Sequence, residues 1–336
     1  MSDKQPTPRR DLDPEELRAR LTSLLQWPVE VLDLAVLEGG RSSVTYRATL
    51  RRDDETDQDV VVKLAPPGLP PTANRDVLRQ ARILAALDRD GIVPVPTVLL
   101  TDAGAPPEVP PLFLMDLVAG SSVEPIFGTS GELPAPEVVR ARALAAATTL
   151  AGLHAVDPAT VAVGETVVSP ADELARWERT LTAAGGSDAA SKVLTALQDS
   201  LPVSVAPTLV HGDFRLGNCL FVGEILTSVL DWEIWALGDP RVDLAWLLLT
   251  AMPEVHPGAD REPVGMPSAA ELTARYEERS TRPDATAELS WFLAAALYKM
   301  AAMSRHIGKR FAPDDPRRTG REASAERMLA TSLELL

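Results

Sequence analysis

Apolar and polar residues alternate over short stretches in the first third of the chain, which predicts β-strands there. Three such stretches lie between Val31 and Leu64: VLDLAVLEGG, SVTYRATL and DVVVKL. They are separated by a glycine pair and by the polar run RRDDETDQD, and strands joined by tight turns pair antiparallel. A helix is expected from about Arg75 to Leu87, followed by two strands in VPVPTVLL and PLFLMDL. This third of the chain therefore predicts a small antiparallel sheet.

Farther along, apolar residues recur at helical spacing, and strand-like segments are confined to residues 208–232. The predicted helices cover residues 136–154, 169–184, 187–201, 240–251, 268–280, 284–307 and 322–335. A loop is expected over residues 311–320, which contain Pro313 and Pro316. The predicted fold class is α+β, with a small antiparallel-sheet N-terminal lobe and a larger helical C-terminal lobe.

The predicted domain organisation has three parts. We expect a flexible tail over residues 1–12, an N-terminal lobe over 13–116 and a helical lobe over 117–336. The tail is polar, and it is followed by Asp13-Pro14, a pair typical of a helix start.

Composition excludes several classes of protein. The 336 residues carry 33 Lys and Arg against 48 Asp and Glu, a net charge of −15, which makes nucleic acid an unsuitable main partner. The single cysteine, Cys219, excludes a disulfide framework and a Cys-based zinc site. The most apolar segment, from Trp291 to Met303, is too short to span a membrane and contains Lys299. With no secretory signal at the N-terminus, we expect a cytoplasmic protein without a membrane partner; the oligomeric state stays open.

The most informative segment is LVHGDFRLGNCLFVGEILTSVLDWE, which starts at Leu209. Asp213 follows a short apolar strand, and Asn218 comes five residues later. CLFV and ILTSVL then form a predicted hairpin around a Gly-Glu turn, which returns the chain to Asp231. Because paired strands lie about 5 Å apart, we expect the three side chains to lie close together. Two oxygen ligands suit a Mg²⁺ ion, and the further carboxylate beside them suits a proton acceptor. The alternative is that these residues have only structural roles, as an Asx-turn and a helix-capping Asp.

The motifs HGDFRLGN, VLDWE and LGDPRVDLAWLL resemble the aminoglycoside phosphotransferase and choline kinase superfamily. More narrowly, they are similar to the kinase-like domains fused to some acyl-CoA dehydrogenases, and the resemblance covers roughly residues 30–310. It implies a bilobal, protein-kinase-like fold and the cofactors ATP and Mg²⁺, with GTP as an alternative donor. By position, it implies that Asp213 is the catalytic base or hydroxyl-orienting residue and that Asn218 and Asp231 hold the metal ion.

Neighbouring residues in these motifs carry weaker expectations. Glu233 is either an additional metal partner or a solvated carboxylate, and Arg215 either stabilises the transferring phosphate or points outward. His211 is expected to order the loop through hydrogen bonds. Asp243 resembles a family position that braces the loop, and surface exposure is its alternative.

The resemblance implies that the N-terminal lobe binds the nucleotide. Glycine-rich turns let backbone N–H groups approach phosphates. A segment of this kind between two strands can instead be an ordinary hairpin turn, which is the alternative interpretation. The candidate turn consists of Gly39, Gly40, Arg41, Ser42 and Ser43. Lys63 lies inside an apolar strand, where a charge needs an anionic partner, so we interpret it as the lysine that binds the α- and β-phosphates, with an exposed strand position as the alternative. Met115, Asp116 and Leu117 end the last strand of the lobe; they either contact adenine or form an ordinary strand end.

One position departs from the family pattern. Kinase-like folds pair the lysine with a glutamate on the following helix, and the corresponding residue here is Gln80. Asp76, one turn earlier, is a possible substitute.

These expectations combine into a predicted function: ATP- and Mg²⁺-dependent transfer of phosphate to a hydroxyl of a small molecule, either an aminoglycoside-like antibiotic or a hydroxylated metabolite. A hydroxyacyl-thioester kinase is one alternative, and a non-catalytic nucleotide-binding module, suggested by Gln80, is another. A serine hydrolase is excluded because the chain has no G-x-S-x-G elbow.

Overall fold

The computed structural model describes residues 13–25, 29–37, 43–52, 54–125, 133–162, 164–253 and 264–336. The chain divides into two compact units. The first consists of Met1–Ala119 together with Leu230–Ile234, and the second of Gly120–Val229 and Trp235–Leu336. The predicted tail over residues 1–12 lies outside the described residues.

The first unit contains a five-stranded antiparallel sheet with the strand order β1-β2-β3-β5-β4. Its strands are β1 (Glu30–Leu37), β2 (Val44–Arg51), β3 (Asp57–Leu64), β4 (Val98–Asp102) and β5 (Leu112–Asp116). Two helices accompany them, α1 (Pro14–Leu24) and α2 (Val77–Asp90). The predicted small antiparallel sheet is thus confirmed.

The central strand β3 explains how this unit holds together. Val60, Val61 and Val62 are all buried although they alternate between the two faces of the sheet. Both faces are therefore covered, and apolar residues are required at consecutive positions. Helix α2 packs on β4 and β5; it begins where Asp76 accepts a hydrogen bond from Arg79 N and ends at Gly91, whose φ is +75°.

The second unit is mainly helical. Its helices are α3 (Pro136–Leu153), α4 (Pro158–Val161), α5 (Pro170–Ala183), α6 (Asp188–Asp199), α7 (Arg241–Leu249), α8 (Ala269–Arg279), α9 (Leu289–Gly308) and α10 (Pro316–Glu334). Its short strands are β6 (Val167–Val168), β7 (Thr208–Val210), β8 (Cys219–Val222), β9 (Ile225–Val229) and β10 (Ala236–Gly238). Helix α9 lies in the centre, where it packs against α5, α6, α7 and α10. Among the helices described, none combines the length and the apolar character needed to cross a lipid bilayer.

Two helix starts in the second unit differ from the prediction. Helix α10 begins at Pro316 rather than at residue 322, so the expected loop over 311–320 is too long. Proline is well tolerated in the first helical turn, and Asp315 caps this helix by accepting a hydrogen bond from Arg317 N. Helix α9 begins at Leu289 rather than at 284, after Glu288 in a left-handed conformation with φ of +53°.

The predicted hairpin is present. Strands β8 and β9 pair antiparallel, with Cys219 opposite Val229 and Val222 opposite Ile225. The two-residue turn has Gly223 at φ of +59°, a conformation that favours glycine.

Candidate active site

The side chain of Asp213 is held by neighbours from several parts of the second unit. It lies in the loop after β7, and its Oδ1 accepts a hydrogen bond from Trp246 Nε1 of α7 at 2.7 Å. Its Oδ2 accepts another from Asn218 Nδ2 at 2.9 Å, while its backbone N–H donates to His211 Nδ1 at 3.2 Å. The side chain is still 24% exposed. A carboxylate that is fixed yet accessible is suited to orient a hydroxyl group and accept its proton.

Asn218 is oriented by the same loop. Its Nδ2 also donates to the backbone oxygen of Asp213 at 2.9 Å, so both of its amide hydrogens have acceptors on one residue. This arrangement directs the side-chain oxygen away from Asp213. An amide oxygen is a hard ligand of the kind that Mg²⁺ prefers, so Asn218 fits a role in metal binding.

Asp243 stabilises the backbone of the loop that carries Asp213. It is completely buried, and its carboxylate accepts hydrogen bonds from the backbone N–H groups of His211 at 2.6 Å and Gly212 at 2.8 Å. His154 Nε2 lies 3.6 Å away, and His154 Nδ1 is 2.7 Å from the hydroxyl of Tyr276. Burial by itself would raise the pKa of Asp243, but the nearby His154 and His211 outweigh it and lower the pKa. The bracing interpretation is confirmed, and surface exposure is wrong.

Lys299 was not identified as a site residue from the sequence. It lies on α9, is 6% exposed, and donates from Nζ to the backbone oxygen of Gly212 at 2.6 Å. Its Nζ also lies 4.1 Å from the ring centroid of Trp246. Burial lowers its pKa. The one sequence signal was a charged residue inside a strongly apolar helix, where a partner is expected.

Arg215 points toward two carboxylates. Its Nη1 lies 3.2 Å from Glu124 Oε2, and its Nε donates to Asp213 Oδ2 at 3.4 Å. Glu124 Oε2 also accepts a hydrogen bond from Gly217 N at 3.2 Å. Burial raises the pKa of Glu124, although the charge of Arg215 opposes the shift. The interpretation of Arg215 as an outward-pointing residue is therefore wrong. Glu124 was missed because nothing in the local sequence connects it with a loop about 90 residues away.

In the first unit, Lys63 and Asp231 form an ion pair. Lys63 lies on β3 between Thr45 and Phe113 of the neighbouring strands, with its side chain 11% exposed. Its Nζ lies 3.3 Å from Asp231 Oδ1. Asp231 adopts a left-handed conformation with φ of +63° and is 41% exposed, so its carboxylate stays accessible. A strained backbone at a charged, accessible residue is typical of functional sites.

The helix after β3 supplies no described partner for Lys63. Asp76 accepts a hydrogen bond from Arg79 N at 2.9 Å and so caps α2. Gln80 is buried, and its amide donates to the backbone oxygen of Asn74 at 3.4 Å. Within the described residues, the anion that faces Lys63 is Asp231.

The remaining predicted nucleotide-binding residues are described only in part. Residues 39–42 lie outside the described residues. Ser43 is buried, and its hydroxyl has no hydrogen-bond partner among the described residues. At the end of β5, Asp116 N donates to Thr97 O at 3.0 Å, and Leu117 N points to Asp59 O at 3.4 Å. Any contact of this segment with adenine therefore has to rely on groups other than these two N–H groups.

The candidate metal ligands carry oxygen donors. Among the described residues, no group of three or more His, Cys, Asp or Glu side chains gathers around a potential metal position. The candidate oxygen donors are Asn218 and Asp231, with the half-buried Glu233 two residues after Asp231. Carboxylate and amide oxygens are the ligands that Mg²⁺ prefers, whereas zinc in proteins is bound mainly by cysteine sulfur and histidine nitrogen.

Comparisons with known proteins agree with the motifs. The family model described as "Phosphotransferase enzyme family" (APH) matches residues 33–292. Acyl-CoA dehydrogenase family member 10 of Mus musculus is 30% identical over 298 residues, which are 83% of this chain and 26% of that protein. The chain thus spans about a quarter of that relative. Viomycin phosphotransferase of Streptomyces vinaceus is 33% identical over 182 residues, 51% of this chain and 59% of that enzyme.

Solved structures show the same fold. A candidate aminoglycoside phosphotransferase from Ralstonia eutropha superposes with a TM-score of 0.75 at 22% identity, over 96% of this chain and 98% of that one. The macrolide 2'-phosphotransferase MphH from Brachybacterium faecium has a TM-score of 0.60 at 23% identity, over 93% and 96% of the two chains. At such identities the likeness concerns the fold alone, and it confirms the predicted kinase-like fold class.

Proposed function

The chain belongs to the Phosphotransferase enzyme family, whose model matches residues 33–292, and from this premise we propose that it transfers the γ-phosphate of ATP to a hydroxyl of a small molecule. Two independent features support the proposal. The family itself is one of phosphotransferases, and the loop around Asp213 is built to hold a carboxylate in one orientation.

The observation that carries the proposal is the set of contacts to Asp213. The indole of Trp246 and the amide of Asn218 each bind one carboxylate oxygen. Asp213 thereby orients the acceptor hydroxyl for in-line attack and accepts its proton as the bond to phosphorus forms. Arg215, which faces Asp213 and Glu124, positions this carboxylate; a contact of Arg215 with the transferring phosphate stays a prediction.

We assign the donor side by residue type. Asn218 and Asp231 supply oxygen ligands for Mg²⁺, with Glu233 as an additional partner. A Mg²⁺ ion bound there would neutralise charge on the phosphate oxygens. Lys63 binds the α- and β-phosphates, and its pairing with Asp231 keeps the lysine oriented when no nucleotide is bound. The segments 39–43 and 115–117 contact the phosphates and the adenine, respectively; the unpartnered hydroxyl of Ser43 supports the first assignment.

Asp213→Ala tests the proposal. We expect ATP affinity to stay unchanged and phosphotransfer to fall by about 10²–10⁴-fold, the usual contribution of a positioned proton acceptor. The measurement is ADP release in a screen of aminoglycosides, macrolides, amino alcohols, sugars and hydroxyacyl thioesters. Asp199→Ala changes an exposed aspartate at the end of α6 and serves as the matched control. Turnover of a true acceptor by Asp213→Ala at the control's rate would refute the assignment.

A second candidate is a non-catalytic nucleotide-binding module. Gln80 favours it, because this residue stands where kinase-like folds carry the glutamate partner of the lysine and it donates to Asn74 instead. Slow Mg²⁺-dependent ATP hydrolysis that disappears in Asp231→Ala would argue against this candidate. Nucleotide binding without turnover of any acceptor would support it.

A further inference from the structure

Lys299 carries a buried amino group that none of the roles assigned above uses. It lies on α9, the apolar helix at the centre of the second unit. Glu173, the acid whose charge acts most on it, accepts a hydrogen bond from Trp177 Nε1 at 2.8 Å. Among the described residues, no carboxylate forms an ion pair with Lys299. Because an amino group is costly to bury away from water, its presence in this helix requires another partner.

The backbone of Gly212 supplies that partner. Lys299 Nζ donates to Gly212 O at 2.6 Å, which is short for an N–H···O hydrogen bond. The N–H group of the same glycine donates to Asp243 Oδ1 at 2.8 Å. Both backbone groups of Gly212 are thus held by buried side chains, one from α9 and one from α7.

The hydrogen bond to Gly212 O acts on the backbone of Asp213, because Gly212 is the residue directly before it. Gly212 has a φ of +84°, and a glycine by itself does not hold such a conformation against others. Its carbonyl and the N–H group of Asp213 belong to one planar peptide group. A donor fixed on that carbonyl therefore limits the rotation of this plane, and with it the position of the Asp213 side chain.

A second contact of Lys299 leads to the carboxylate of Asp213. Nζ lies 4.1 Å from the ring centroid of Trp246, within the range at which an ammonium group interacts with an aromatic face. Trp246 Nε1 in turn donates to Asp213 Oδ1 at 2.7 Å. Lys299 thus contacts both the peptide group before Asp213 and the indole that holds one of its carboxylate oxygens.

We propose that Lys299 is a positioning residue for phosphate transfer, which fixes the backbone of Asp213 through Gly212 O and its carboxylate through the ring of Trp246. The inference rests on the function proposed above and adds a residue to its machinery. An apolar residue of similar length would fill the same space on α9 without a buried amino group, so packing alone does not account for the lysine. A misplacement of about 1 Å can lower a rate about 10²-fold, so turnover depends on such support.

Lys299→Met tests the role with a side chain of similar length that has no hydrogen-bond donor. For an acceptor found in the ADP-release screen, we expect kcat to fall by about 10–100-fold and the KM for ATP to stay unchanged. Lys299→Arg keeps a donor and an aromatic contact, and it should retain a larger kcat than Lys299→Met. Lys192→Met makes the same change at an exposed position of α6 and should behave as the wild type. Turnover by Lys299→Met at the rate of this control overturns the inference.

Urea unfolding separates a positioning role from a merely structural one. In Lys299→Met, Gly212 O loses its donor but the costly buried amino group is removed, so the free energy of unfolding should stay close to that of the wild type. A lower kcat together with reduced stability and a raised KM for ATP would show that Lys299 only supports the fold, which contradicts the inference. If Lys299→Met does not fold, Lys299→Gln takes its place with the same expectations. Failure of both variants to fold likewise assigns the lysine a structural role.

Hydrogen exchange of the backbone amides of residues 209–218 tests the inference without catalysis. In Lys299→Met these amides should exchange at least about tenfold faster than in the wild type, while those of β3 stay unchanged. If they do but the wild-type chain releases no ADP with any acceptor, the positioning of the loop stands and the kinase proposal fails. If the wild type turns over an acceptor and Lys299→Met equals Lys192→Met in kcat and exchange, the inference fails and the kinase proposal stands. Unchanged exchange in a chain without turnover refutes both.

Discussion

At the residue scale, Asp213 depends on groups that are distant in the chain. Asn218 is five positions away and belongs to the same motif, but Trp246 is 33 positions away on another element. The motif alone identifies Asp213 and Asn218, because their spacing is local. It does not reveal Trp246 as a donor, because apolar helices usually carry tryptophan as a core residue.

Trp246→Phe is predicted to lower kcat while leaving the KM for ATP almost unchanged. The variant keeps a buried aromatic ring on α7 but removes the indole N–H that donates to Asp213 Oδ1. Without that donor the carboxylate is no longer held in one orientation toward the acceptor hydroxyl, so kcat should fall by about tenfold or more, while a nucleotide titration should give an unchanged affinity for ATP. A reduced affinity for ATP or a lower free energy of unfolding in the variant would indicate a packing defect instead.

At the element scale, α2 illustrates how a family pattern and a local helix signal compete. Asp76 was considered as a replacement for the missing glutamate partner of Lys63. In the structure it caps α2, and an N-terminal cap is the role that an aspartate before a helix most often takes. The anion beside Lys63 is Asp231, which is 168 positions away and was expected only as a metal ligand.

Two substitutions of Asp76 are predicted to distinguish its role as the N-terminal cap of α2 from a role of its charge in nucleotide binding. Asp76→Ala should lower the free energy of unfolding by about 0.5–2 kcal/mol, since Arg79 N loses its acceptor. Asp76→Asn keeps a good capping residue without the charge, so both stability and nucleotide affinity should stay close to those of the wild type. Urea unfolding and nucleotide titration check these outcomes, with the exposed Asp88→Ala on the same helix as the control. A loss of nucleotide affinity in Asp76→Asn would show that this charge serves the site.

At the scale of the whole molecule, buried polar contacts connect the Asp213 loop with three helices of the second unit. Asp243 of α7 binds the backbone of His211 and Gly212, and His154, directly after α3, contacts both Asp243 and Tyr276 of α8. Such a network is stable only when every member keeps its partner. The loop should therefore lose its order when Asp243 loses its charge.

The pH dependence of stability follows from that network. Because the folded chain holds the pKa of Asp243 below its ordinary value of 3.8, the stabilisation is present above about pH 4 and is lost as the pH falls below it. Asp243→Asn should reduce the free energy of unfolding at pH 7 by about 3 kcal/mol and make it less sensitive to acid than the wild type.

Denaturant unfolding between pH 3 and pH 7 measures this difference, and the exposed Asp199→Asn is the control. A wild-type profile parallel to that of Asp243→Asn over this range would contradict the prediction.

The sequence by itself determined the class of the fold, the antiparallel sheet, the hairpin of β8 and β9, and the motif that carries Asp213 and Asn218. These features depend on residues that are near each other in the chain, so periodicity, turn residues and spacing are sufficient to predict them. Only the tertiary structure decided which anion faces Lys63, that Glu124 contacts Arg215, and that Lys299 of α9 donates to the backbone oxygen of Gly212. Those contacts join residues about 90 to 170 positions apart. A buried charge is stabilised by a partner that lies close to it in the folded chain, and the separation of the two residues in the sequence does not indicate which partner that is.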